Sequence, residues 1–185
     1  MSQRRVQIVI LCEDRQQEVF ARYFLKKRGF RGPFRPKICP PGSQAGEQYV
    51  RTEYPKEVKA YRQNRNRVAI GLVVLIDADT GTLEARLNWL ASVLDEDKQE
   101  KRDSKEAIAI FVLKRNIETW IHYLQGETVN EEDDYAKFKN NEALCKTAVE
   151  NLADRCYSQS LPEDAPRSLQ AACGELQRLL PLLQP

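Results

Sequence analysis

Two stretches of this chain are almost continuously apolar and rich in β-branched residues. They read Arg-Val-Gln-Ile-Val-Ile-Leu-Cys at 5–12 and Arg-Val-Ala-Ile-Gly-Leu-Val-Val-Leu-Ile at 67–76. A strand with one wet face alternates apolar and polar residues, whereas a near-unbroken run predicts a strand buried on both faces. Strands of that kind belong to parallel sheets covered by helices. Each run stops at an acid: Glu13 follows the first, and Asp77-Ala78-Asp79 the second.

The intervening segments fit the same plan. Residues 15–28 predict a helix with Val19, Phe20, Tyr23 and Phe24 at helical spacing, stopped by Gly29. Phe34 to Cys39 reads as a short second strand, broken by Pro40-Pro41-Gly42-Ser43. Residues 46–66 read as a helix with Tyr49, Val50, Val58 and Tyr61 inward, which Pro55 is expected to kink or split. After the second apolar run, Thr82 is an expected N-cap for a helix carrying Leu83, Leu87, Leu90 and Leu94 along one face. Residues 95–106 have no apolar side chain and predict an exposed helix end or a loop. Ala107 to Leu113 is a third buried-type strand, and Asn116 is placed to cap the helix after it. Beyond Gly126 come an acidic loop and amphipathic helices at 141–157 and 167–183. The expected class is α/β: a mostly parallel, Rossmann-like sheet flanked by helices over 1–126, with a helical extension over 127–185 packed on the core or on a partner. In that extension Leu176, Leu179, Leu180 and Leu183 suit an interface, including a homo-oligomeric one, as well as a core.

A length of 185 residues is enough for a real core, and no apolar run reaches the roughly 20 residues of a membrane span. The first residues, Met1-Ser2-Gln3-Arg4-Arg5, run straight into the first strand without a cleavage-site pattern, so a cytoplasmic protein is expected. The five cysteines form no Cys-x-x-Cys pair and there is one histidine, His122, which argues for buried reduced thiols rather than structural zinc. The net charge of +2 hides an asymmetry: residues 1–67 hold 16 Lys and Arg against 6 Asp and Glu. A basic first half is a candidate footprint for a polyanion, with Lys26, Lys27, Arg28, Arg62 and Arg65 as candidate contacts; a solvated surface is the alternative. Trp89 and Trp120 read as core. Pro41 to Gly46 is not a P-loop, because no Gly-Lys-Ser/Thr ending follows.

In open α/β sheets ligands gather beyond the carboxyl ends of the strands. The strands deliver Glu13, Asp77 and Asp79 there, and the last one leads within a few residues to Glu118. If the strand continues through Asp79, it and Asp77 share one side of the chain. Carboxylates are preferred ligands of Mg²⁺ and Mn²⁺, and such acids gathered without a cation would repel one another. Acids at strand ends also serve as caps and turn formers, and that reading stands beside the first.

The order of motifs resembles the TOPRIM domain of topoisomerases, primases, RecR-type repair proteins and OLD nucleases. It has a strand ending in Glu (Ile8 to Glu13), a helix, and a later strand ending in Asp-x-Asp (Val73 to Asp79). Arg115-Asn116-Ile117-Glu118 resembles the Asn-x-Glu motif of OLD-like and stand-alone members. The resemblance covers about residues 5–125. It implies that Glu13 is a metal ligand or general acid/base, that Asp77 and Asp79 bind one or two Mg²⁺ or Mn²⁺ ions, and that Glu118 is a candidate ligand of the second. Lys114 or Arg115 would neutralise phosphate charge, or serve only as strand-end surface residues. The chain departs from the pattern at Asp14, where many members have Gly, and at Gln17, where OLD nucleases tend to carry an acid. Glu18 or Asp14 is the candidate substitute. The implied function is a metal-dependent nuclease acting on DNA or RNA, the effector of a bacterial antiphage system with a separate AAA or ABC-type ATPase. A non-catalytic TOPRIM scaffold and a receiver-like signalling domain are the other classes considered.

Overall fold

The structure is a computed structural model that describes residues 5–138 and 140–184. The reading of the N-terminus as leaderless rests mostly on residues 1–4, which lie outside the described residues. Four strands, β1 (Gln7–Cys12), β2 (Phe34–Ile38), β3 (Ile70–Asp79) and β4 (Ile108–Lys114), form one all-parallel sheet in the order β2-β1-β3-β4. The helices are α1 (Arg15–Lys27), α2 (Gly46–Asn64), α3 (Leu83–Glu96), α4 (Ile117–Leu124), α5 (Lys146–Ser158) and α6 (Arg167–Leu176). This is the expected Rossmann-like α/β class.

Parallel crossovers are right-handed, so the direction in which the chain moves along the sheet decides the face each helix covers. From β1 the chain steps outward to β2, then back across β1 to β3 and on to β4. That reversal puts α1 on one face and α2 and α3 on the other. On the α1 face, Phe20 meets Trp120 of α4 at 5.6 Å and Phe24 meets Phe111 of β4 at 5.8 Å between ring centroids. The C-terminal helices join the same face, α5 along α1 and α6 along β4. The switch point lies between β1 and β3, where the side chains after both strands face a common crevice.

Local chemistry sets the helix boundaries. Asp14, Thr82 and Asn116 each cap a helix by accepting from the third backbone N–H, those of Gln17, Ala85 and Thr119. Gly29, at φ 100°, ends α1 in the left-handed conformation that glycine adopts without strain. The β4 edge is closed by side chains: Arg102 donates to the Ile108 carbonyl at 2.8 Å, the Ile110 N–H donates to Glu175 at 2.8 Å, and Arg102 pairs with Glu175. The β2 edge carries exposed Arg35, Pro36 and Lys37, residues that discourage strand addition.

Several expectations are corrected. Helix α2 runs through Pro55 without splitting; Pro55 is buried beside Tyr54 and Val58, so packing offsets the missing hydrogen bond. The last predicted helix stops at Leu176 and resumes as a 3-10 turn over Leu180–Leu183, where Pro181 sits at its start. Likewise α5 is preceded by a 3-10 turn, Glu142–Cys145. Leu176 and Leu179 are fully buried, so this segment joins the core. Gly71 makes room for it: a Cβ there would stand 3.0 Å from methyls of Ile8 and Leu182. Cys156 and Cys173 form a disulfide between α5 and α6, against the expectation of five thiols; Cys12, Cys39 and Cys145 are free and buried. In the charged 95–106 stretch Glu106 is buried, drawn in by Arg62 and Arg65. Trp120 is core, but Trp89 is only partly buried, with Arg51 and Arg86 over its ring.

Candidate active site

The end of β1 and the end of β3 are adjacent, and their acids meet. The Asp77 backbone N–H donates to Glu13 Oε1 at 2.6 Å. The first residue of α2 presses on the same side chain: a Cβ at Gly46 would fall 2.6 Å from Glu13 Cβ and 2.8 Å from Oε2. Glycine is therefore required there for α2 to approach, and the Glu13 carboxylate lies beside a helix N-terminus, which favours negative charge. Gln17, fully buried in the first turn of α1, uses both ends of its amide. Its Oε1 accepts from the Glu13 N–H at 2.9 Å, and its Nε2 donates to Asp77 Oδ1 at 2.9 Å.

β3 does not stay regular through the motif. Its register with β4 slips between Asp77 and Asp79, leaving Ala78 as the extra residue. Asp79 takes φ 50° and pairs through an isolated bridge with Arg115, itself at φ 68°. The bulge corrects the expectation that the two aspartates share one side of a straight strand: Asp77 stays in the crevice and the Asp79 side chain is 64% exposed. Left-handed backbone at non-glycine residues is costly and concentrates where function demands it. Here two such residues face each other across the site.

Glu118 comes from the first turn of α4 and is 1% exposed, with Oε1 buried and unpartnered. Its carboxyl is raised above its ordinary range by burial, against its own backbone N–H and with the repulsion of Asp14. Asp77 is raised well above the usual range, by burial first and then by Glu13, Asp14, Asp79 and Glu118. Glu13 is pushed up to about 7 by burial, opposed by the Asp77 N–H and reinforced by Asp79 and Asp14. Glu13, Asp77 and Glu118 are thus raised together in a partly dry crevice, with Asp14 and Asp79 adding to the repulsion.

Among the described residues, no three His, Cys, Asp or Glu side chains stand together as a ready-made cation cage. The donor chemistry nevertheless fits a hard divalent ion. The acids repel one another, Glu118 Oε1 has no partner, and Mg²⁺ is commonly held by one or two carboxylates with water and phosphate completing its shell.

The remaining candidates divide sharply. Lys114 donates to the Gly81 carbonyl at 2.8 Å, tying down the loop after Asp79, and lies 3.3 Å from Glu132; Arg115 pairs with Asp134 at 2.7 Å. Both belong to the site. Lys26, Lys27, Arg28, Arg62 and Arg65 do not. They stand at the C-terminal ends of α1 and α2, and a helix that follows a parallel strand returns to the strand's opposite end. The 13 residues of α1 put roughly 20 Å between these cations and the acids. Lys27 and Arg28 pair with Asp154, while Arg62 and Arg65 neutralise Glu106. Glu18 does not replace the acid absent at 17; it is turned to Arg15 and Arg22. His122 bonds to Glu127 at 2.8 Å and, one turn past Glu118 in α4, lowers the Glu118 carboxyl.

Two participants went unread in the sequence. The sequence pattern registers Gln17 only as a missing acid, yet its amide is the link between Glu13 and Asp77. Arg86 in α3 lies 3.9 Å from Asp79 and 3.0 Å from Glu47 and lowers the Glu13 carboxyl. Its place one turn past the Thr82 cap was the available signal. A parallel sheet with an acidic crevice at its switch point defines the general class of the molecule. Comparison with protein-family models, curated proteins and solved structures finds no match for the chain.

Proposed function

We propose that this chain is a TOPRIM-type, Mg²⁺- or Mn²⁺-dependent nuclease that hydrolyses phosphodiester bonds of DNA or RNA. The observation that carries the reading is the contact of Glu13 with Asp77 across the switch point, inside a crevice where burial and mutual repulsion raise both carboxyls. Asp77, with Glu13 or Asp79, would hold one ion, and the unpartnered Glu118 Oε1 is the donor available to a second. A divalent ion bound there would supply an activated water and neutralise charge on the phosphate. Where Glu13 is not itself a ligand, it would be placed to take a proton from an attacking water or return one to the leaving oxygen. Gln17 fixes the orientation of Asp77 by occupying Oδ1. Lys114 and Arg115 border the crevice on the β4 side and suit the phosphate's remaining charge.

The second reading is a non-catalytic TOPRIM scaffold or nucleic-acid-binding module. Gln17 favours it, since a neutral amide stands where another ligand would strengthen a two-ion site. An antiphage role beside a separate ATPase chain belongs to the first reading and rests on the resemblance alone.

The test is hydrolysis of labelled DNA and RNA in Mg²⁺ or Mn²⁺ by the wild type and by Asp77→Asn. Cleavage by wild type that falls at least 100-fold in the variant supports the nuclease. Equal cleavage by both removes the site assignment. Mg²⁺ or Mn²⁺ binding by calorimetry with no cleavage supports the scaffold instead.

A further inference from the structure

Lys114 and Arg115, which border the crevice on the β4 side, are already engaged, and the carboxylates engaging them come from one loop. Between α4 and α5 the acidic segment 127–138 crosses the mouth of the site. Glu132 reaches Lys114 at 3.3 Å and Asp134 reaches Arg115 at 2.7 Å. Lys137, on the same segment, stands 3.9 Å from Asp14 and lowers the Glu118 carboxyl. The segment thus offers carboxylate to the cations and ammonium to the acids. It is fastened beside Glu132, since Glu131 accepts a hydrogen bond from Ser168, which itself accepts from Trp120 Nε1 at 2.8 Å.

The two ion pairs are unlike in their partners' surroundings. Lys114 and Arg115 are mostly covered, at 14% and 20% exposure, while Glu132 and Asp134 are 69% and 74% exposed. Arg115 Nε is buried and unpartnered, so its guanidinium is only partly satisfied by Asp134. It also holds a left-handed backbone conformation to face Asp79. Arginine offers five donors in a fork matched to planar oxyanions and phosphate. One carboxylate at one edge leaves that fork unfilled. Two cations held in place, each met by a solvated carboxylate, form an oxyanion site with an internal competitor.

We propose that segment 127–138 is an acidic strap that occupies the phosphate positions at Lys114 and Arg115 and holds the site in a self-inhibited state until a polyanionic strand displaces Glu132 and Asp134. The inference rests on the nuclease reading, because it takes Lys114 and Arg115 as phosphate contacts. It deepens that reading by naming what regulates the site.

The experiment measures binding of a fluorescently labelled single-stranded oligonucleotide by anisotropy, in an Asp77→Asn background so that the strand is not consumed. Glu132→Gln/Asp134→Asn releases both cations. Exposed ion pairs are weak, so the expected gain in affinity is roughly 5- to 30-fold. A control, Glu127→Gln/Asp133→Asn, takes the same charge from the same loop without touching either cation and is expected to gain less than about 2-fold. Adding Lys114→Gln/Arg115→Asn to the released form should abolish the gain; asparagine is chosen because it tolerates a left-handed backbone. Equal affinity of the parent and the released form, or an equal gain in the control, overturns the strap while leaving the nuclease reading intact. Absence of binding by every form at low salt overturns the nucleic-acid reading and the strap with it.

Discussion

Replacing Glu13 by glutamine should make the protein more stable above neutral pH in the absence of divalent ions. The carboxyl is pushed from its ordinary 4.5 up to about 7, so the folded state favours its neutral form. Below pH 4.5 both folded and unfolded chains hold the proton, and folding incurs no penalty from this group. Between 4.5 and about 7 the native state retains a proton that the unfolded chain has released, and stability falls as pH rises. Above 7 the full penalty applies. At about 1.4 kcal/mol per pH unit, the interval comes to about 3 kcal/mol. For a chain of this size that is roughly 6–12 °C in Tm. Asp77 is raised in the same direction and titrates with Glu13 as a pair, so wild type should show a continuous decline through this window. Glu13→Gln keeps an oxygen to accept the Asp77 N–H and removes the charge. Thermal melts in EDTA from pH 4.5 to 8.5 should show wild type losing stability with rising pH and the variant losing less, since the burial of Asp77 remains, with the gap widest above pH 7. A variant whose melting curve parallels the wild type at every pH would refute the burial and repulsion from which the magnitude comes.

A divalent ion should cancel the same penalty: Mg²⁺ or Mn²⁺ at pH 8 should raise the wild-type Tm by several degrees, the rise shrinking at pH 5.5, where protons compete, and vanishing in Asp77→Asn. Gly46→Ala should cost about 1–3 kcal/mol in denaturant unfolding and displace the Glu13 side chain that its Cβ would strike, so that cleavage falls more than stability alone accounts for. Gln17→Leu strips the Glu13 N–H and Asp77 Oδ1 of their partner and should cost about 1–3 kcal/mol, while Gln17→Glu should weaken the ion-free protein and tighten Mn²⁺ binding measured by calorimetry. Arg62→Gln should reduce stability by about 1–2 kcal/mol, because it takes the bidentate partner from the buried Glu106 and leaves it Arg65 and the Asp103 N–H, yet leave oligonucleotide affinity unchanged. Burial alone would raise Glu106, but hydrogen bonds from Arg62 and the Asp103 N–H hold it below its ordinary value. The pair's contribution is therefore present above that value and is lost as pH falls through the lowered one.

How much of this was legible in the sequence follows from the range of the interactions involved. The runs at 5–12 and 67–76 announce strands because burial on both faces is written in consecutive residues. Asp14, Thr82, Asn116 and Gly29 announce helix ends because a cap bonds within its own turn. The meeting of Glu13 with Asp77 was legible too, since parallel strands deliver their following residues to one end of the sheet. What failed was long-range or three-dimensional. Arg62 and Arg65 look like free cations until β4 brings Glu106 beneath them from more than 40 residues away. Lys26 to Arg28 look near the acids along the chain and are a full helix length from them in space. Asp77-Ala78-Asp79 reads as an alternating strand, and only pairing with β4 reveals the bulge that turns Asp79 outward. Gln17 is the most instructive miss. A sequence pattern records which residues carry charge, and so registers an amide as a lost ligand. In the folded crevice that amide donates to one site residue and accepts from the other, holding the Asp77 carboxylate at the oxygen a cation would otherwise share. The same substitution that removes a charge therefore decides which oxygen of Asp77 remains for a metal, and Gln17→Glu is the change that would exchange one design for the other.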